Sequence, residues 1–553
     1  MRSTRTRSSV ALLAVLLTVT VVTGGLTGPV VATAAANSGD SQPLPTDPAS
    51  ALAATDASSA TQADRPANPT TEDTVGYVAG YWYDDELAVD DRPSPVVDED
   101  ELDPIVYRAM ARVERIRNVT FDERVDVTVV SRAEYRETNG DRFANLTSGD
   151  RLEQNVAYEA LFVVDRNTAA ADATETLYGD AVAGYYDPGT DQIVLVSENA
   201  DSLEVNKRTL AHELVHALQD QRFDLSSLGG ATQDEELAVN GLVEGDASLV
   251  EREYESRCRD EWRCLGPADE PTNQATEINW GLYFTVYHPY SDGPDYVEQL
   301  RERAEGWSAV NAAYDDPPST TSAVIRPSSE REPADVSVPD RSSEDWDQLR
   351  VDGEVANDTV GEAGMVAMFA ADGRDRSRPA VIEADELFED SPGSYDYDHP
   401  VTNGWAGDEL VVYTTDGAGN ESEPTAAAGR AGYVWRTEWQ SGGDATAFAD
   451  GYLQLLESHD AESVDGRRDT YVIDDGGYAG AYYLERNETT ITIVRAPSVD
   501  ALSNVEAGAA PEGDDTLSIG DDETDLVPGF GPLIAIAALA VLGTGLRIVV
   551  DRG

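Results

Sequence analysis

The sequence predicts an α+β fold in which a first region of helices, a strand and a hairpin is followed by a smaller mixed α/β region. Apolar residues recur at helical spacing in Glu101–Arg117, which predicts an amphipathic helix. The run VDVTVV at Val125–Val130 is typical of a strand, and Ala181–Ser197 predicts a hairpin because its DPG tripeptide favours a turn. Two further helices are predicted at Thr209–Gln221 and about Glu235–Tyr254.

The smaller region is predicted from apolar and β-branched runs that surround one helical stretch. Its tryptophans (Trp405, Trp435 and Trp439) are predicted to pack in the core rather than to bind a ligand. The predicted strands are Glu409–Thr414, Tyr433–Thr437, Tyr471–Asp474 and Thr489–Val494, and the predicted helix is Ala445–Leu456.

Composition sets the boundaries of these regions. Residues 37–74 are rich in Ala, Ser, Thr, Asp and Pro without any periodicity, which predicts a disordered stalk. Residues 501–525 are predicted to form an acidic linker. The folded regions are therefore expected at 75–345 and 346–500.

Both ends of the chain carry patterns typical of targeting segments. Residues 1–36 combine N-terminal arginines, an apolar stretch and small residues, which predicts a signal peptide. Residues 526–553 begin near a PGF tripeptide, continue with apolar residues and end with arginines, and they resemble the PGF-CTERM sorting signals of archaeal surface proteins. That resemblance implies processing by an archaeosortase and attachment of a lipid. The alternative is a short transmembrane helix, and both place the protein at the extracellular face of the cell membrane.

The charge of the chain is strongly one-sided, with 105 acidic and 39 basic residues and a net charge of −66. In molar salt the screening length falls to about 3 Å, so the repulsion between carboxylates is quenched. The composition resembles that of proteins from extreme halophiles, chiefly haloarchaea. Nucleic acid is not expected as a partner, because it binds to basic surfaces.

The chain has two cysteines, Cys258 and Cys264, which lie close together in the sequence CRDEWRC. In an exported protein this spacing favours a local disulfide over free thiols, and a two-cysteine metal site is the weaker alternative.

The candidate metal-binding and catalytic motif is HELVH at residues 212–216. His212 and His216 are four residues apart and share one face of a helix, so both imidazoles can bind one Zn²⁺. Glu213 is offset by one residue and is predicted to be the general base that acts on a zinc-activated water. Gln219 and Arg222 stand where a metzincin has glycine and histidine, which excludes that class.

A catalytic zinc site needs a third protein ligand, and the following helix offers three glutamates. Glu235 and Glu236 stand at the predicted helix N-terminus, where carboxylates complement the helix dipole. Glu244 borders the apolar face of that helix, and a carboxylate there needs a cation. Glu244 is therefore the preferred ligand, with Glu235 as the main alternative.

A family resemblance supports this preference. The segments HELVHALQDQRFDL, LVEGDAS, HPYSDGPDYVEQL and WSAVNAAYDDPPSTTSAVIRP resemble an exported prokaryotic group of gluzincin-like HExxH zinc metallopeptidases. The resemblance implies a zincin-like catalytic domain with an active-site helix and an edge strand, with Glu244 as the third ligand. The strand Gln192–Ser197 is expected to be that edge strand and to bind the substrate backbone.

The function predicted from the sequence is that of a cell-surface zinc endopeptidase acting on peptide or protein substrates. An oxyanion donor is also expected, and Tyr287, His288 and Tyr290 are candidates for it. The alternative role of each of them is core packing or loop structure. The rival prediction is a non-catalytic, surface-anchored protein with a structural metal site or a role in adhesion.

Overall fold

The computed structural model describes residues 16–19 and 65–517, apart from 140–145, 198–202, 268–277, 304–305, 330, 332, 375–378 and 389–393. Helices and antiparallel sheets both contribute substantially to the described chain, which confirms the α+β class. The predicted C-terminal segment, and the predicted signal peptide apart from residues 16–19, lie outside the described residues. Within the described part of the chain, no helix is both long enough and apolar enough to span a membrane.

The first part of the chain is mainly helical, and its three predicted helices are confirmed with longer bounds. They are Glu99–Arg117, Lys207–Phe223 and Gln233–Asp260. Cys258 and Cys264 form the expected disulfide at the C-terminal end of the last of these helices. The helices are α1 (Glu99–Arg117), α2 (Arg132–Asn139), α3 (Ser148–Ala160), α4 (Ala170–Ala181), α5 (Lys207–Phe223), α6 (Gln233–Asp260), α7 (Trp280–Ser291), α8 (Gly293–Arg303), α9 (Trp307–Ala313) and α10 (Thr321–Ile325).

A small mixed sheet packs beside α5. Its strands are β1 (Leu16–Val19), β2 (Asp126–Ser131), β3 (Val182–Asp187) and β4 (Gln192–Ser197), in the spatial order β1-β3-β4-β2. Strands β3 and β4 form the predicted hairpin, and β2 runs parallel to β4. The prediction that Gln192–Ser197 is the edge strand is wrong, because β4 is hydrogen-bonded on both sides. The outer strand of the hairpin is β3, and β1 pairs antiparallel with its free side.

The second part of the chain is built on an antiparallel sheet of eight described strands. Successive residues along a strand face opposite sides of a sheet. Leu410 and Val412 accordingly belong to the core that includes the helix Gly442–Ser458, whereas Val411 and Tyr413 belong to the core that includes the helix Val499–Val505. The predicted strands and helix are confirmed, and the three tryptophans predicted in the core are buried. The longer elements are α11 (Gly361–Ala370), β5 (Trp405–Thr414), β6 (Ala431–Trp439), α12 (Gly442–Ser458), β7 (Thr470–Ile473), β8 (Gly480–Asn487), β9 (Thr490–Ala496) and α13 (Val499–Val505).

Defined structure is present within both segments that were predicted to be unstructured. Arg65 forms an ion pair with Asp84 and lies 4.5 Å from the centre of the Trp82 ring, so defined contacts begin before residue 75. In the predicted linker, Leu502 and Val505 are fully buried against the sheet, and packed structure continues to residue 517. In both places small and acidic residues outnumber the few side chains that pack, and composition alone therefore misplaced the boundaries.

The two predicted regions share a hydrophobic core. Side chains of α3 and α7 from the first part pack with α11, α12 and the large sheet from the second part. The division at residues 345 and 346 therefore runs through a continuous packing unit.

Candidate metal centre

Helix α5 carries the HELVH motif and is fixed at its N-terminus by a side-chain cap. The carboxamide oxygen of Asn206 accepts hydrogen bonds from two backbone N–H groups of the first turn. His212, Glu213 and His216 are 1%, 0% and 0% exposed, so the helix is buried as predicted. Buried imidazoles and carboxylates are costly unless they are paired, which makes their partners informative.

The carboxylate of Glu244, on α6, faces both histidines. Its Oε2 atom lies 3.1 Å from His212 Nε2 and 3.4 Å from His216 Nε2. One ligand atom from each of the three residues lies within 4.8 Å of the others. Ligands bound tetrahedrally to Zn²⁺ at about 2.0–2.1 Å are about 3.3 Å apart. The donor set and its spacing therefore fit a zinc ion.

The alternative glutamates are used elsewhere. The carboxylates of Glu235 and Glu236 accept backbone N–H groups of residues 231 and 230, just before α6 begins. Of the three candidate glutamates, Glu244 is the one beside the histidines.

Helix α6 also comes very close to α8, since a Cβ atom on Gly245 would stand 2.2 Å from the carbonyl oxygen of Gly293.

The outward-facing nitrogen of each histidine ring has its own partner. His212 Nδ1 lies 3.2 Å from Glu251 Oε2, and His216 Nδ1 lies 2.8 Å from Gln219 Oε1. These contacts leave both Nε2 atoms directed at Glu244, which is the arrangement that metal-binding histidines require. Neither partner was predicted from the sequence. The available signal was spacing, because Glu251 follows Glu244 by two helical turns and Gln219 follows His216 by one.

A buried network supports the His216 side of the site. Gln219 Nε2 donates to the carbonyl oxygen of Val243, and the Gln219 side chain also hydrogen-bonds to Tyr314. The Tyr314 hydroxyl donates to Asp246 Oδ2 at 2.9 Å, and Arg117 Nε lies 2.9 Å from Asp246 Oδ1. The orientation of His216 therefore depends on residues from α1, α5, α6 and the end of α9.

The electrostatics of the site favour a positive charge between its carboxylates. Burial opposes charge on the His212 ring, yet hydrogen bonds to Glu244 and Glu251 raise the pKa of that ring to about 10. Burial also opposes charge on Glu244, yet the charge of His216 and the hydrogen bond from His212 lower the pKa of its carboxyl group to about 2. A proton on the ring serves here as the counter-ion, and a bound metal cation would replace it.

Helix α7 brings one of the three predicted oxyanion donors to the site. The Tyr290 ring stacks on His212 with centroids 6.3 Å apart, and its hydroxyl hydrogen-bonds to Glu244. Burial raises the pKa of the Tyr290 phenol well above its ordinary value, and the charges of Glu244 and Glu213 add to that effect. Tyr290 is therefore a protonated hydroxyl beside the proposed metal ligands.

The other two candidates occupy different surroundings. Tyr287 packs behind Tyr290, with ring centroids 5.6 Å apart. His288 is fully buried against Tyr397 of the second part of the chain, and burial lowers the pKa of its ring to about 3. Tyr290 is the predicted donor that contacts a metal-site residue.

Comparison with known proteins adds one finding. Residues 348–506 match the family model described as a domain of unknown function (DUF8575). No curated protein and no solved structure matches the chain. The matched residues cover most of the second part and exclude the HELVH helix.

Proposed function

We propose that the protein is a zinc-dependent endopeptidase with a zincin-like catalytic domain of the gluzincin type. The observation that carries the proposal is the convergence of His212 Nε2, His216 Nε2 and Glu244 Oε2 at the spacing of zinc ligands, with Glu213 next to the first histidine. A structural zinc site commonly has four protein ligands, whereas three ligands leave a position for water or substrate. Within the described part of the chain this group has three members, which favours catalysis over a purely structural role.

The residues around the site supply the remaining chemistry. A bound zinc would polarise a water molecule and the scissile carbonyl group. Glu213 accepts the proton of the attacking water and returns it to the leaving amine. Tyr290 keeps its proton, and we assign to it the hydrogen bond to the oxygen that becomes negative during the attack, which its hydroxyl makes in exchange for the hydrogen bond to Glu244.

The proposed substrate is an extended peptide segment that pairs with β3 rather than β4. Strand β3 packs closely on α5, since a Cβ atom on Gly184 would lie 2.7 Å from Thr209 Cγ2. Its outer side accepts the segment Leu16–Val19 in antiparallel pairing. That pairing supports the idea that a substrate backbone can add to the same side by β-augmentation.

The proposed location is the outer face of a cell membrane. The leader-like residues 1–36 and the PGF-containing C-terminal segment support export, and either a lipid added after archaeosortase processing or a membrane helix would provide the anchor. The net charge of −66 supports a salt-rich environment.

Metal analysis combined with a cleavage assay in high salt tests the function. Wild type is expected to bind one equivalent of zinc and to cleave casein or a peptide library. Glu213→Gln should retain zinc and lose at least about 100-fold in rate, because it removes the proton acceptor. The surface variant Glu253→Gln, which disrupts only an ion pair with Arg257 within α6, is the matched control and should behave as wild type.

Two results would contradict the proposal. Full zinc occupancy in a wild-type protein that cleaves no substrate would favour the structural or adhesive alternative. Retention of zinc by Glu244→Ala, with loss of zinc in Glu235→Ala, would show that the third ligand is assigned incorrectly.

A further inference from the structure

Ser291, the residue that follows Tyr290, is clamped to the second part of the chain. Its Oγ atom donates to the carbonyl oxygen of Tyr395 at 2.8 Å and accepts from the backbone N–H of the same residue at 2.9 Å. Ser291 is 5% exposed, so both hydrogen bonds are shielded from water. This two-point contact fixes the C-terminal turn of α7 immediately beside Tyr290.

Side-chain contacts extend the same attachment along α7. The Tyr397 hydroxyl donates to the carbonyl oxygen of Phe284 at 2.6 Å. The Tyr395 ring packs edge-on against Tyr287, with centroids 5.2 Å apart, and Tyr287 in turn packs against Tyr290. Near the other end of α7, a Cβ atom on Gly281 would lie 2.9 Å from the Cβ atom of Ala371. The helix is thus in contact with the second part of the chain over its whole length.

The second part of the chain also holds the helix that carries Glu244. At the N-terminus of α6, the backbone N–H of Gln233 donates to Asp358 Oδ1, and that of Asp234 donates to the carbonyl oxygen of Thr359. Asp358 and Thr359 belong to the segment that matches the domain of unknown function. Two of the helices that form the metal centre are therefore attached to the same neighbouring segment.

We infer that residues 348–506 are a positioning part of the catalytic site, and that their specific task is to hold Tyr290 against Glu244 through the clamp between Ser291 and Tyr395. This inference rests on the proposed peptidase function. The contacts described above join Tyr395 and Tyr397 to α7, so these two residues and Ser291 act on the site through Tyr290. The contribution of the segment is then to the rate of the chemical step, because a hydrogen-bond donor displaced by about 1 Å loses much of its effect on the transition state.

A double-mutant cycle on peptide cleavage tests the positioning role. Ser291→Ala should lower kcat by about 10- to 100-fold while KM changes by less than about twofold and zinc content stays at wild-type level. In a Tyr290→Phe background the same substitution should have almost no further effect, because the group that it positions is already absent. Ser291→Thr keeps the hydroxyl and should restore most of the rate. The control Ser458→Ala removes a hydroxyl that bonds only within its own helix and should leave kcat unchanged.

Hydrogen exchange provides a readout that does not need activity. Ser291→Ala should accelerate exchange of the Tyr395 amide and of the amides in 280–291, whereas Ser458→Ala should not. Tyr397→Phe, which removes one hydroxyl and keeps the ring, should show the same pattern if Ser291→Ala fails to fold. Unchanged exchange in α7, or rate losses that add independently to that of Tyr290→Phe, would overturn the inference. A wild type that binds zinc but cleaves nothing would refute the peptidase function, and the exchange data would still decide whether the clamp holds α7.

Discussion

His212, on α5, lies between two glutamates of α6. Its Nε2 atom is 3.1 Å from Glu244 Oε2, and its Nδ1 atom is 3.2 Å from Glu251 Oε2. A carboxylate on the outer nitrogen fixes the tautomer of a histidine ligand and increases its basicity. Glu251→Gln should therefore weaken zinc binding by about 10- to 100-fold, as measured by competition with a chelator.

The neighbouring residue Glu255 offers a matched control for that experiment. It lies one turn further along α6, and its Oε2 atom is 3.6 Å from Arg208, which also contacts Glu251. Glu255→Gln should leave zinc affinity within about twofold of wild type, because the exposed pair contributes little. Equal affinities for Glu251→Gln and wild type would show that Glu251 does not orient His212.

Gln219 has the corresponding role for His216, and its replacement should affect both metal binding and folding. Gln219→Leu removes the acceptor of the buried His216 Nδ1, and with it the additional hydrogen bond that Gln219 Nε2 donates to the carbonyl oxygen of Val243. A buried polar group that loses its partner costs about 1–3 kcal/mol, so the free energy of unfolding should fall by that amount. Zinc titration and thermal unfolding measure the two effects, and a variant that loses stability but binds zinc normally would contradict the orienting role.

The parts of the site that could be predicted from sequence are those fixed by local geometry. The spacing of His212 and His216 places both on one helix face whatever the rest of the fold does. Glu244 could be preferred because its helix has a recognisable apolar face. The role of Tyr290 could not be separated from those of its neighbours, because it depends on how α7 crosses the metal helix.

The edge strand and the buried helix α11 could not be predicted for a related physical reason. Strands β3 and β4 have equivalent alternation of buried and half-buried residues, so periodicity does not indicate which of them lies at an edge. Helix α11 was not predicted because all of its residues are buried, which leaves no amphipathic pattern to detect. In both cases the deciding partners are distant in the sequence.

Asp234 should make the stability of the protein depend on pH. Burial and the nearby carboxylates of Asp408 and Glu362 raise the pKa of Asp234 to about 8, although Thr321 donates two hydrogen bonds to it. The native state then holds a proton that the unfolded chain, with a pKa of about 3.9, releases. The contribution of Asp234 to stability is therefore greatest below about pH 4 and is lost progressively as the pH rises towards 8.

Asp234→Asn isolates this contribution, because the amide oxygen can still accept from Thr321 and carries no titratable proton. Melting temperatures recorded between pH 5 and 8 in constant salt should fall less steeply for the variant than for wild type. The exposed substitution Asp500→Asn serves as the control and should keep the wild-type slope. Parallel slopes for Asp234→Asn and wild type would mean that Asp234 is not protonated in the native state.

The excess of acidic residues should make folding depend on salt. At about 0.1 M salt the screening length is about 10 Å and the like charges repel one another, whereas at about 1 M it is about 3 Å. With a net charge of −66, the protein should lose stability in dilute buffer and regain it as sodium or potassium chloride is added. A melting temperature that stays constant from about 0.1 to 3 M salt would contradict the halophilic interpretation of the composition.

Gly361 should be essential for attaching α11 to the start of α6. Its φ angle is +75°, and an added Cβ atom would lie 1.9 Å from Asp234 Oδ1. Gly361→Ala therefore combines an unfavourable backbone conformation, which costs about 1–3 kcal/mol, with a steric clash that forces the two segments apart. The free energy of unfolding should fall by at least that amount in denaturant titrations. Gly429→Ala is the matched control, because no atom lies within 4 Å of its Cβ position and its φ angle is not positive. If both variants unfold at the same denaturant concentration as wild type, the close approach of Gly361 and Asp234 does not contribute to the stability of the fold.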